Sequence, residues 1–162
     1  MIVVECKPDE VLVRNVASVS RRQIIHEPGK GAVCRRLDRI SNTRAVVDED
    51  PGSAQPSYLD SAVLSENLEA AGLKVLSDVP RNNLVVVLRP RLEDWLLYAV
   101  RESGVDATDY RLPNDPKELK KVINLNLDRL EKLVMDLLDA RSDRMLALQR
   151  LLKQRRTRRR TR

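Results

Sequence analysis

The chain has 162 residues, of which 42% are hydrophobic, and a formal charge of +6. There is no Phe, one Trp and three Tyr, so the core is aliphatic, and a single-strand binder built on exposed stacking rings is disfavoured. No apolar run is long enough to cross a membrane, and the length suits one domain with a small appendage.

Ile2-Val3-Val4 reads as a buried strand with Glu5 at its end. Pro8 suits the first turn of a helix carrying Val11, Leu12, Val16 and Val19. Gln23 to His26 is a second short strand, Pro28-Gly29-Lys30-Gly31 a turn, and Ala32 to about Ile40 a helix. Thr43 to Val47 is the third strand. This β-α-β-α-β order predicts a parallel sheet with right-handed crossovers. Pro51 to Ser57 is a loop, and the spacing predicts a helix from about Tyr58 to Ala71, ended by Gly72. Leu73 to Leu76 and Leu84 to Leu88 read as strands. Arg89-Pro90 opens a helix with Leu92, Trp95, Leu96, Ala99 and Val100 on one face. From Asp115-Pro116 the pattern is helical, with an N-cap and a first-turn proline. Ile123, Leu127, Leu130, Val134 and Leu137 form its apolar stripe, and a last helix starts near Ser142. The expected organisation is an α/β domain over 1–105, a helical extension over 106–152 packing on it, and a basic tail over 153–162.

Asp48-Glu49-Asp50 closes the apolar run Ala45-Val46-Val47. On an extended strand, residues two apart share a face, so Asp48 and Asp50 are expected to point the same way. Two adjacent carboxylates repel each other and stay ionised at low cost where a hard cation sits between them. Oxygen ligands of this kind suit Mg²⁺ or Mn²⁺. If the first and third strands are parallel neighbours, Glu5 joins them at one sheet edge, where open α/β sheets hold their sites.

These stretches resemble the Toprim domain of topoisomerases, primases and OLD-family nucleases, above all small stand-alone Toprim proteins. The resemblance rests on Val3-Val4-Glu5-Cys6-Lys7-Pro8-Asp9-Glu10, on Ala45 to Gly52, and on Pro90-Arg91-Leu92-Glu93-Asp94-Trp95-Leu96. It covers roughly residues 1–105 and departs from the family at Cys6, where a glycine is common. It implies a Toprim or Rossmann-like, mainly parallel sheet flanked by helices. It also implies a Mg²⁺-dependent phosphodiesterase of the nuclease type, with Glu5, Asp48 and Asp50 as catalytic metal ligands. By the same resemblance Glu93 completes a second metal site. Lys30, between two glycines, is placed to approach a phosphate. Lys7 and Asp9 are read as structural residues close to the site. Cys6, near the carboxylates, is expected to have a raised pKa and to be a poor nucleophile.

Two other readings compete. One is a non-catalytic module of the same fold that binds nucleic acid or a protein partner, working beside a separate ATPase. The other is a receiver-like phosphoacceptor domain, with Arg89-Pro90 as its basic-proline step. Cys6, Cys34 and His26 lack the spacing of a zinc site. A reduced, cytoplasmic protein is expected. The chain enters a strand at Ile2 without a basic leader region, so no signal peptide is expected.

The last ten residues hold one Lys, six Arg and no acid, so they carry +7 and leave −1 for residues 1–152. A like-charge block of this kind is expected to be disordered on its own and to seek a polyanion, because each neutralised phosphate releases counterions. The expected nucleic-acid contacts are Lys153, Arg155, Arg156, Arg158, Arg159, Arg160 and Arg162. Deleting 153–162 is expected to weaken oligonucleotide binding and flatten its salt dependence. An unchanged salt slope in a fluorescence-anisotropy titration refutes this role.

Overall fold

The computed structural model describes residues 1–154; Arg155, Arg156, Arg158, Arg159, Arg160 and Arg162 lie outside the described residues. The chain forms a six-stranded sheet in the order β2-β1-β3-β6-β5-β4. Its strands are β1 (Ile2–Val4), β2 (Ile24–His26), β3 (Arg44–Asp48), β4 (Val63–Leu68), β5 (Leu73–Asp78) and β6 (Asn83–Leu88). β2, β1, β3 and β6 are parallel, and β5 and β4 close the other side antiparallel. The receiver fold keeps its strands parallel, so this hairpin sets the chain apart from it.

Alternation along the strands builds two cores. Val4, Val46, Val86 and Leu88 face one side, together with Leu73 and Val75. Val3, Ala45, Val47, Val85 and Val87 face the other. The first side is covered by α1 (Lys7–Ala17), α4 (Leu92–Ser103), α5 (Pro116–Ile123), α6 (Leu127–Asp139) and α7 (Asp143–Lys153). The second side takes α2 (Lys30–Leu37) and α3 (Ser57–Ser61). The C-terminal helices therefore share one continuous apolar cluster with the sheet and α1, and no core of their own separates from it.

Local chemistry explains the helix starts. Cys6 caps α1 in an extended conformation, its Sγ accepting from the Asp9 backbone N–H, with Pro8 in the first turn. Asp115 caps α5 by accepting from the Glu118 N–H, again with a proline in the first turn. The apolar stripe from Ile123 to Leu137 is broken between α5 and α6 at 124–126, so it belongs to two helices.

The expected helix over Tyr58 to Ala71 is a five-residue helix, α3, followed by the edge strand β4 and a short 3₁₀ turn, Glu69–Ala71. Leu, Glu and Ala are good helix formers, but propensity is a weak prior that tertiary pairing overrides. Here β4 pairs its backbone with β5 from Val63 through Leu68, across an irregularity between Leu64 and Glu66. Ser65 donates to the Val75 carbonyl at 3.1 Å, and Glu66 meets Arg150 of α7 at 2.9 Å.

Gly72, which ends that turn with φ +61°, allows a close approach. A Cβ there would stand 2.1 Å from Nη1 of Arg144 and 3.0 Å from Cδ1 of Trp95. Trp95 is fully buried and donates from Nε1 to the Ala71 carbonyl at 2.8 Å. Trp95→Ala is expected to cost about 3–5 kcal/mol through cavity formation. Urea unfolding followed by circular dichroism checks this; a midpoint within error of wild type contradicts it.

Candidate metal centre

The parallel pairing of β1 with β3 aligns Val4 with Val46, and that of β3 with β6 aligns Asp48 with Leu88. The C-terminal ends of these three strands therefore lie on one edge, which also receives the starts of α1 and α4. Oxygens of Glu5, Asp48 and Asp50 all lie within 4.8 Å of one another, a spacing that can hold a metal ion.

Asp48 ends β3 and accepts from the Leu92 backbone N–H at 3.0 Å, so one of its oxygens also caps α4. Asp50 arrives by a different route from the one that strand alternation suggests. β3 ends at Asp48, and Asp50 has φ +49°. A tight turn, pinned by its backbone N–H to the Pro90 carbonyl at 3.0 Å, brings it back to the edge. Between them Glu49 turns away to Arg89 at 2.9 Å and Lys74 at 3.4 Å.

Two further carboxylates at helix starts act on this group through their charge and are not among the oxygens that lie within 4.8 Å of one another. Asp9, in the first turn of α1, is only 1% exposed and Glu93, in the first turn of α4, 7%. Asp9 Oδ2 accepts from the Cys6 thiol at 3.0 Å, whereas its Oδ1 and Oε2 of Glu5 are buried with no hydrogen-bond partner among the described residues. The sequence places Asp9 near the site as a structural residue, and it is for Glu93 that the helix dipole offers a local explanation of a first-turn acid. The burial of Asp9 beside Glu5 brings it into the acidic group, a closeness that depends on the packing of α1 over β1.

Crowding and burial shift the protonation of this edge. Burial, reinforced by Asp50, pushes Glu5 from 4.5 up to about 7, with Lys30 and the Asp48 backbone amide pulling the other way. Burial also raises Asp9, with Glu5 next in effect, and raises Asp48, with Asp9, Glu5, Glu93 and Asp50 adding to it. Glu93 is raised by burial as well. Burial and Asp9 push the Cys6 thiol far above its usual range, which makes it a poor nucleophile, as expected.

Cations border the acids. Lys30 Nζ lies 3.4 Å from Asp50 and donates to the Glu49 carbonyl at 2.9 Å and to Gln55 at 3.1 Å. Arg91 holds the other oxygen of Asp50 at 3.2 Å. Lys120, from α5 of the helical extension, lowers the pKa of both Glu5 and Glu93 through its charge. It is a rim residue that sequence reading misses, because only the fold brings residues 5, 93 and 120 together. Lys153, at the end of α7, is exposed.

The donor set is all oxygen, and buried carboxylate oxygens lack hydrogen-bond donors. Both properties fit a hard divalent cation such as Mg²⁺ or Mn²⁺. A cation seated among Glu5, Asp48 and Asp50 shares Asp50 with Lys30 and Arg91. Comparison with protein-family models, with curated proteins and with solved structures finds no match to this chain. Among the described residues no helix is long and apolar enough to cross a membrane.

In metal-free protein these raised carboxylates keep their protons in the folded state at pH values where the unfolded chain has lost them. The contribution of Glu5 is therefore complete below about pH 4.5 and is lost as pH rises through about 7, and that of Asp48, raised further from 3.8, declines over a window that extends to about pH 9. In chelator, the thermal midpoint of wild type is expected to fall relative to that of Asp48→Asn as pH rises from about 5 to about 8, and Mg²⁺ or Mn²⁺ is expected to reverse the fall. A gap between the two proteins that stays constant over that range contradicts the assignment.

Proposed function

We propose that this protein is a metal-dependent phosphodiesterase acting on nucleic acid, with the carboxylate edge as its active centre. The observation that carries the reading is the convergence of Glu5, Asp48 and Asp50 oxygens within 4.8 Å. The buried, unpartnered oxygens of Glu5 and Asp9 support it. An uncompensated acidic cluster opposes folding through mutual repulsion and desolvation, and a bound cation removes that cost.

When bound, Mg²⁺ or Mn²⁺ polarises a phosphate oxygen and neutralises charge that develops on it. Asp48 and Asp50 are the principal ligands in this reading, with Asp9 and Glu93 deepening the negative pocket. Glu5, whose carboxyl is raised by burial in the metal-free protein, stands beside the Asp pair, where it would exchange a proton with the attacking water or the leaving oxygen. Lys30 orients Asp50 and presents a positive charge on the side of the edge that faces the loop at Gln55. The Toprim-like order of motifs agrees with this assignment. The tail over 153–162 supplies additional attraction for a polyanion.

Purified protein incubated with labelled single- and double-stranded DNA and RNA is expected to cleave at least one of them in Mg²⁺ or Mn²⁺ but not in chelator. Asp48→Asn is expected to abolish cleavage, and Glu5→Gln to slow it about 10²-fold or more. Absence of cleavage in any metal, or full activity in Asp48→Asn, overturns the reading.

A further inference from the structure

The near-neutral charge of the body hides a strong internal separation. Residues 21–44 contain seven Lys or Arg against two acids, a net of +5, and the rest of residues 1–152 therefore carries −6. The positive segment runs through β2 and α2; Arg21 reaches Glu10 of α1 and Arg44 the Gln154 carbonyl after α7, so the cations of α2 and the turn after it make up the patch on the α2 face. Six of its seven cations are Arg, whose planar guanidinium matches a phosphate in two-point contact.

The arginines do not form a uniformly paired surface. Arg36 is held by Glu27, and Arg21 meets Glu10 at 3.7 Å. Arg22, Arg35 and Arg39 are exposed and have no ion pair among the described residues. Arg35 stands on the wall between two hollows. One, of about 330 Å³, is lined by Glu27, Arg35, Arg36 and Arg39. The other, of about 490 Å³, reaches from Arg35 past Lys30 and Gln55 to Tyr58. Lys30, at the near end of α2, is the residue that touches Asp50. A positive track thus leads from the far end of α2 directly to the acidic edge. The helix spans roughly 10 Å, about three base-pair steps of B-DNA.

We propose that the outer face of α2 and the turn that leaves it, carrying Arg35 and Arg39 respectively, is the platform on which the folded body holds a nucleic-acid backbone and directs it to the carboxylate edge. The inference rests on the phosphodiesterase reading for its ligand, and it gives the body a docking surface separate from the tail. Charge placement of this kind raises the local concentration of a polyanion and guides its approach. Neither arginine is buried, so removing them leaves no uncompensated charge in the core.

The test is binding of a short fluorescent duplex and a short single strand to the full chain in chelator, over a series of salt concentrations. Arg35→Ala/Arg39→Ala is compared with Lys117→Ala/Lys132→Ala, which removes the same charge from other exposed positions. The platform predicts that the first pair lowers the slope of log affinity against log salt by about 2 for the duplex. Affinity near physiological salt is expected to fall about tenfold or more, against a much smaller loss in the second pair. Equal losses in the two pairs, an unchanged slope, or displacement of the oligonucleotide by polyglutamate of matched charge as readily as by unlabelled oligonucleotide overturns it. Because cleavage is blocked in chelator, the two ideas fail separately. A specific slope change in a protein that cuts nothing sustains the platform alone, and cleavage with an unchanged slope sustains the active centre alone.

Discussion

The parallel pairing of β1 with β3 is the constraint on which the rest depends. β1 is short and wholly aliphatic and is followed at once by Glu5, and β3 carries Ala45-Val46-Val47 to Asp48 at its end. Once Val4 lies beside Val46, Glu5 and Asp48 have no choice but to share an edge. The electrostatic cost of that meeting is carried by the valines behind it. Val3, Val4, Val46 and Val47 are fully buried, and burying a side chain of this size contributes roughly 1.5–3 kcal/mol. Well-packed elements elsewhere thus hold in place a local arrangement that repels itself, a pattern expected where structure serves a chemical task.

How much of this was legible from residues alone differs with the physical origin of each feature. The β-α-β-α-β start could be read because buried parallel strands are continuous aliphatic runs and their helices begin at prolines and end at turns. Glu5, Asp48 and Asp50 could be read as a group because parallel topology fixes which strand ends are neighbours. The geometric reason was only half correct, since Asp50 reaches the edge through a left-handed turn and not through strand alternation. Asp9 and Glu93 were harder, because a first-turn acid has a local explanation that hides its tertiary one. Lys120 had no local signal. β4 was misread as helix because Leu64, Glu66 and Leu68 favour helix and Gly72 offers a C-cap, whereas its strand state comes from hydrogen bonds to β5.

The distribution of charge has its own logic. An acidic edge flanked by Lys30 and Arg91 on one side and Lys120 on another is negative at its centre and positive at its rim. Under the proposed phosphodiesterase reading, a divalent cation would suit the first and a phosphodiester the second. The helical extension belongs to this arrangement through α5, whose Lys120 acts on Glu5 and Glu93. Its helices also bury the same apolar cluster as α1 and α4.

Gly72 carries a consequence for how freely the chain can change. The Arg144 guanidinium fills the space above this glycine, lies over the Tyr98 ring at 4.8 Å and pairs with Glu102 at 3.3 Å. The hinge of the antiparallel hairpin and the last helix are therefore fitted to each other across seventy residues of chain. A side chain at the hinge would meet both the Arg144 guanidinium and the buried Trp95 ring on a left-handed backbone, so a smaller residue at position 144 relieves only part of the restriction. Grafting the hairpin onto a scaffold without that terminal helix would remove the Arg144 contact and leave the backbone's demand for glycine in place.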